Sequence, residues 1–367
     1  MNIIYVSALE GGKYSGPLYS VPKQIESQKK FDNVFWVNLT KIEIYKELQG
    51  DLYHFIPLKS FSFEKLPPPF NNPDIVIFEE FFKLECGILA RRLIRKKIPY
   101  IIVPRCQMTE KYIQNKKIKK TVASFLFFNY FAKSAAAVQF LTEQEKTDSN
   151  KYYKGKSFVV PNGIDIPLLK AKGNRNEIKI CTFIGRYSIW QKGLDLLILS
   201  IQKAQDVLRE NKIQFQLFGP NERTGSKFEV EKLIEKYNVS DLVTVKGPVF
   251  DNEKKLILLS SDMFIHTSRF EGLPMSVLEA LAYGIPCLVT QGSNLREQIV
   301  KTNAGWGCDN DVEAIVEMLK TAAIQSHCLE EKANNAYELA KMYSWMSIAR
   351  KTHEIYEQLL DNAGQEV

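Results

Sequence analysis

Two glutamates in one motif carry the strongest chemical signal in this chain. Glu271 and Glu279 lie in Ser268-Arg-Phe-Glu-Gly-Leu-Pro-Met-Ser-Val-Leu-Glu-Ala-Leu-Ala-Tyr-Gly-Ile-Pro-Cys-Leu-Val-Thr290. The apolar run Met263–His266 reads as a strand, and a loop holding Glu271 and Gly272 follows it. Pro274 stands where it can open a helix, while Gly284 and Pro286 end one, so the expected helix is 274–283. Its first amides, around Met275 and Ser276, suit a pyrophosphate without any metal ion. Glu279 falls ~7–8 Å further down the axis, the reach from pyrophosphate to a ribose whose two hydroxyls a carboxylate accepts. Glu271 flanks the other side of the same diphosphate. A pair of glutamates at this spacing can equally be solvated helix and loop residues. However, Glu279 is embedded in Val277-Leu-Glu-Ala-Leu-Ala282, where an unpaired carboxylate is costly to bury.

A second segment, Phe183-Ile-Gly-Arg-Tyr-Ser-Ile-Trp-Gln-Lys-Gly-Leu-Asp195, repeats the arrangement of strand end, glycine-containing loop and helix start. Arg186 and Lys192 are two cations on that loop, able to neutralise a leaving diphosphate as a divalent metal does elsewhere. On their own they would read as a surface pair. Gly185, Gly193 and the matching strand end favour the ligand reading. Near the start, Glu10-Gly-Gly-Lys-Tyr-Ser-Gly-Pro17 also follows a strand and precedes a helix. It is not a true G-x-G-x-x-G, which disfavours a dinucleotide site, and its position at a strand's carboxyl end would turn it towards a ligand cleft.

These loops need parallel sheets to hold them, and the chain supplies the pattern twice. Short apolar, β-branched runs alternate with amphipathic helical stretches. The expected strands are Ile3–Ala8, Val34–Leu39, Ile75–Phe78, Tyr100–Val103 and Ala137–Leu141 in the first half. In the second they are Lys179–Ile184, Phe215–Phe218, Val243–Lys246, Met263–His266 and Cys287–Val289. Helices are expected at Leu84–Lys97 and Ile113–Lys133, throughout the sequence after Asp311, and finally over Trp345–Leu360. The 367 residues suit two α/β domains better than one core. The linker between them is expected in Ser157-Phe-Val-Val-Pro-Asn-Gly-Ile-Asp165, where Pro161-Asn-Gly163 marks a turn and a polar stretch from Lys170 to Glu177 soon follows. The expected domains are 1–165, 166–344 and a terminal helix, 345–367.

Composition narrows the chemistry. The six cysteines and four histidines are scattered, with no C-x-x-C pair, so reduced thiols and no protein-built metal site are expected. No secretory start and no apolar stretch near ~20 residues is visible, which predicts a cytoplasmic chain without a membrane span. The net charge of +7 is uneven: residues 1–165 carry 25 Lys and Arg against 16 Asp and Glu, the remainder 24 against 26. A basic first half predicts an anionic neighbour, either nucleic acid or a membrane surface. No stacking platform or recognition helix accompanies the charge, so nucleic acid is excluded. Lys116, Lys117, Lys119 and Lys120, followed by the aromatic run Phe125–Phe131, could instead face anionic lipid, or form the solvated end of a core helix.

With these motifs the chain resembles the family 4 retaining glycosyltransferases. The resemblance rests on Glu271 and Glu279 in their Glu-Gly-Leu-Pro-Met-Ser-Val-Leu-Glu setting, on Gly185-Arg186 with Lys192-Gly193, and on three weaker landmarks. These are Val160-Pro-Asn162-Gly-Ile-Asp165, Phe218-Gly219-Pro220 and the Gly11-Gly12 loop. It implies a GT-B fold: two Rossmann-like domains facing each other across a cleft, the first binding the acceptor and the second the donor, with the terminal helix crossing back to the first. It further implies that Arg186 and Lys192 hold the diphosphate, Glu279 the ribose, and Glu271 with the backbone of Gly272, Leu273, Pro274 and Met275 the donor sugar. The activity implied is metal-independent transfer of a sugar, with retention, from a UDP- or GDP-sugar to a glycan carried on lipid, as in bacterial-type surface polysaccharide synthesis. One position departs from the family. Where many members have a histidine facing the donor sugar, this chain reads Val103-Pro-Arg-Cys-Gln107, and Arg105, a permanent cation, cannot shuttle a proton. It could anchor a sugar hydroxyl or phosphate. A non-catalytic partner of an active transferase should have lost Glu271, Glu279, Arg186 or Lys192, and no acid/base set marks an epimerase.

Overall fold

In the computed structural model the residues described are 1–10, 16–41, 53–109, 123–168, 171 and 177–365. They form two compact units, Met1–Gly163 with Trp345–Val367, and Ile164–Ser344. In the first, all strands run parallel: β1 (Asn2–Ser7), β2 (Asn33–Asn38), β3 (Tyr53–Phe55), β4 (Ile75–Phe78), β5 (Tyr100–Ile102), β6 (Ala137–Phe140) and β7 (Ser157–Val159). Their spatial order is β3-β2-β1-β4-β5-β6-β7. Ile75-Val-Ile-Phe78 is buried throughout, as a strand covered on both faces requires. The terminal helix Trp345–Gln365 is part of this unit. Tyr356, fully buried, packs in the same apolar cluster as Ile3, Tyr5 and Ile77 and donates to Gln139 Oε1 at 2.9 Å.

The second unit holds β8 (Lys179–Ile184), β9 (Ile213–Phe218), β10 (Val243–Lys246), β11 (Met263–His266), β12 (Cys287–Thr290) and β13 (Gly305–Cys308), in the order β10-β9-β8-β11-β12-β13. Each sheet therefore reverses its strand order once, between β1 and β4 in the first and between β8 and β11 in the second. Such a switch point leaves a crevice at the carboxyl ends of the two strands, where doubly wound sheets bind ligands. The Gly185–Gly193 loop leaves β8 and the Thr267–Pro274 loop leaves β11, so the two motifs of the sequence meet at one crevice.

Three strands are additional to those read from sequence. Tyr53–Phe55 and Ser157–Val159 are three residues each at sheet edges, and Gly305-Trp-Gly-Cys308 is half glycine, so none shows an apolar run. The segment Ser157–Val159, read as part of the linker, adds to β6. Pro274 is the N-cap in extended geometry, so the expected helix begins one residue later, as Met275–Ala282. Helix Ile113–Lys133 is described only from Ala123 onward.

Glycine is obligatory at two places around the crevice. Gly193 has φ +63°, and a Cβ there would meet the Thr267 carbonyl oxygen at 2.1 Å. A Cβ on Gly219 would lie 1.8 Å from the Gly185 carbonyl oxygen, so the loops after β8 and β9 touch through backbone alone. Neither clash can be relieved by turning a side chain. Gly219→Ala is expected to lower the stability of the unit by ~3 kcal/mol through overpacking, whereas Gly247→Ala, whose Cβ would meet nothing within 4 Å, should change little. Denaturant midpoints of the two variants check this, and equal midpoints would refute the close approach.

Candidate functional site

Lys192 ends the short helix Ile189–Lys192, and its Nζ lies 2.5 Å from Glu271 Oε1. The pair joins the two loops at the β8/β11 switch point, with side chains only 12% and 13% exposed. Burial alone would raise the Glu271 carboxyl. The Lys192 ammonium, with His266 close by, outweighs burial and holds the carboxyl well below the usual carboxylate range. Ser268 Oγ donates to the same Oε1 at 2.9 Å. Further contacts bind the loops together: Arg269 N–H donates to the Gln191 carbonyl, its guanidinium forks onto Asp195 at 2.7 Å, and Thr267 Oγ1 donates to the Lys192 carbonyl. Asn294 Nδ2 donates to the carbonyls of Glu271 and Gly272, fixing the backbone that leads through Leu273 to Pro274.

Beyond Pro274, the amides of Val277 and Leu278 turn back to the Pro274 carbonyl. Those of Met275 and Ser276 have no backbone acceptor among the described residues, the geometry that favours an anion at a helix start. Glu279 follows on this helix, partly buried, with Lys254 Nζ 2.7 Å from its Oε1. Its expected cost of burial is thus offset by a lysine of the helix Asp251–Leu259. Arg186 is half exposed and 3.5 Å from Glu222. Of the two cations read together in the sequence, one is buried against Glu271 and the other lies half exposed against Glu222. Among the described residues no group of three or more His, Cys, Asp or Glu could hold a metal ion.

Arg105 needs correction. It lies in the first unit with φ +47°, and its five N–H groups are all engaged: Nε and Nη2 on Glu79 Oε2 at 3.0 and 2.7 Å, Nη1 on Ser20 and Asn162 at 3.2 Å each, and Nη2 on Gln24 at 3.0 Å. Glu79 is fully buried beneath it. With no N–H left for a sugar or phosphate, Arg105 neutralises a core carboxylate and holds Asn162 at the end of the unit. Next to it, burial pushes the Glu80 carboxyl up to about 7, with Ala8 N–H donating to it at 3.0 Å. Gly12 and Lys116, Lys117, Lys119 and Lys120 lie outside the described residues. No helix among the described residues is long and apolar enough to cross a membrane.

Sequence reading missed His266, Ser268, Asn294 and Lys254. The available signal was His266-Thr-Ser268, three polar residues closing an apolar strand, all of them buried.

Two Rossmann-like units with these strand orders define the GT-B fold, and solved structures share it. The chain superposes on Anabaena Alr3699/HepE in complex with UDP at TM-score 0.75, with 14% identity over 98% of this chain and all of that one. It superposes on the lipopolysaccharide outer core galactosyltransferase WaaB at TM-score 0.72, with 15% identity over 98% and 100%. Residues 165–341, just under half of the chain, match the family described as glycosyl transferases group 1. The phosphatidylinositol N-acetylglucosaminyltransferase GPI3 subunit of Saccharomyces cerevisiae is 26% identical over 193 residues, 52% of this chain and 41% of the relative. The chain spans less than half the length of the curated relatives it matches.

The buried pair makes a pH prediction. Because the folded Glu271 carboxyl sits below its unfolded value of ~4.3, its contribution to stability is complete above that pH and is lost as pH falls towards the folded value. Lys192→Met should cost ~3 kcal/mol near pH 7 by stranding a buried carboxylate. The difference from wild type should shrink as pH falls, beginning above the ordinary carboxylate value of ~4.3, because burial without Lys192 raises the Glu271 carboxyl of the variant while the paired carboxyl stays ionised. A pH series of denaturant titrations measures it, and a constant difference would refute the pairing.

Proposed function

We propose that this protein transfers a sugar from a nucleoside-diphosphate donor to a glycan acceptor, with retention of anomeric configuration and without a metal ion. The observation that carries this reading is the set converging on the β8/β11 switch point: Lys192 paired with Glu271, the open amides of Met275 and Ser276, the half-exposed Arg186, and Glu279 on the same helix. The amides and the two cations would bind the diphosphate, and Glu279 the ribose. In the transfer, the bond from the sugar's anomeric carbon to the diphosphate oxygen breaks and one to the acceptor oxygen forms on the same face. The acceptor's proton passes to the departing diphosphate. Cations and helix amides stabilise the charge that develops there, so no enzymatic nucleophile is required.

The donor reading is supported by the likeness to a protein whose structure contains UDP. A lipid-carried acceptor is supported by the yeast relative, named for transfer to phosphatidylinositol, and a role in surface polysaccharide synthesis by the likeness to WaaB, named for the lipopolysaccharide outer core. A non-catalytic partner of another transferase would not need Lys192 and Glu271 joined at the crevice.

Glu279→Ala should weaken UDP or GDP binding by ~1.5–3 kcal/mol, the value of charge-assisted bonds to the ribose; unchanged affinity by calorimetry removes that assignment. With the donor that wild type turns over, activity should persist in EDTA and the product's anomeric configuration by NMR should match the donor's. An inverted product or strict Mn²⁺ dependence would contradict the mechanism.

A further inference from the structure

His266 lies at the crevice and is used by neither motif nor mechanism. It closes β11, is fully buried, and stacks on Phe183 with ring centroids 6.1 Å apart and planes 17° from parallel. Its Nε2 is 2.9 Å from Ser268 Oγ and 3.4 Å from Glu271 Oε1. Its Nδ1 is buried without a hydrogen-bond partner.

The hydrogen count decides the arrangement. A hydroxyl has one proton to give, and an ionised carboxylate only accepts. Ser268 therefore donates to Glu271, and the hydroxyl oxygen must accept from His266 Nε2–H. The imidazole is then neutral, with its proton on Nε2 and a bare lone pair on Nδ1, which accounts for the unpaired buried nitrogen. Burial pushes the imidazole's pKa down, in keeping with the neutral form. Lys192, Ser268 and His266 all address Glu271 Oε1. Among the described residues no hydrogen bond reaches Oε2, which is the oxygen left for a ligand hydroxyl.

We propose that His266 is a positioning residue: through Nε2–H and the Ser268 hydroxyl it pins Glu271 Oε1, so that Oε2 is presented to a hydroxyl of the donor sugar. This inference rests on the reading of Glu271 as the donor-sugar contact and adds the device that aims it. A carboxylate with one oxygen held by Lys192 and by a Ser268 hydroxyl that His266 orients keeps one rotamer, and the ordering cost of that rotamer is met before the sugar arrives.

Two substitutions separate the nitrogens of the imidazole. His266→Gln can place an amide N–H where Nε2 stood, whereas His266→Asn reaches only the Nδ1 position. With the donor that wild type turns over, His266→Gln should retain kcat within about threefold, and His266→Asn should lose roughly tenfold or more, with UDP affinity unchanged in both. Thermal midpoints identify any variant that has merely unfolded. For a donor-independent readout, ¹⁵N-histidine NMR of the full chain should show His266 as the neutral Nε2–H tautomer from about pH 6 to about pH 8. An Nδ1–H tautomer, an imidazolium, or rescue by Asn rather than Gln would overturn the inference. Glu271→Gln distinguishes the failures. If it matches wild-type turnover, the role of Glu271 itself is wrong; if it is inactive while both His266 variants match wild type, only the positioning role is wrong.

Discussion

The second unit is organised around one costly interaction, the ion pair between Lys192 and Glu271. Removing two charges from water costs several kcal/mol per ion, and attraction between them repays this only with good geometry and further hydrogen bonds. The structure supplies both. Ser268, itself hydrogen-bonded to His266, adds a donor to Glu271, Asn294 holds its backbone, and Gly193 lets the Lys192 loop approach Thr267 closely enough for the 2.5 Å contact. Hydrophobic residues of similar volume would commonly serve stability as well or better. The placement of the pair at the strand-order switch point, beside open helix amides, gives it a reason to persist: a carboxylate and an ammonium held together in fixed positions at the crevice.

The first unit uses the same physics for a different end. Arg105 and Glu79 form a buried pair at the carboxyl end of its sheet, but every guanidinium N–H is spent inside the unit. The contrast is between a pair whose donors are all engaged and one that keeps an acceptor open. Arg105 has no donor to spare, whereas Glu271 retains Oε2, and Arg186 lies half exposed beside Glu222.

Much of this fold was legible because parallel strands buried on both faces must be apolar throughout, and Ile75-Val-Ile-Phe78 or Met263-Phe-Ile-His266 leave little choice. The edge strands Tyr53–Phe55 and Ser157–Val159 were not legible, since an edge of three residues needs no apolar run. At the site, the glutamates and cations could be named from their spacing relative to helix and strand ends, which local sequence encodes. Their partners could not. Lys254 reaches Glu279 from another helix, and Asn294 reaches Glu271 from beyond β12, so only tertiary packing reveals either. Arg105 was misread for the same reason: its engagement by Ser20, Gln24, Glu79 and Asn162 is a property of the folded unit, not of the Val-Pro-Arg-Cys-Gln segment.

The central claim is that the β8/β11 switch point of the second unit is a nucleoside-diphosphate site. Crystals grown with UDP or GDP test it most directly. The account predicts the ribose hydroxyls on Glu279 and the diphosphate at the Met275 and Ser276 amides with Arg186 and Lys192 around it. A nucleotide bound at the first unit's sheet, or one whose phosphates avoid that helix start, would contradict it.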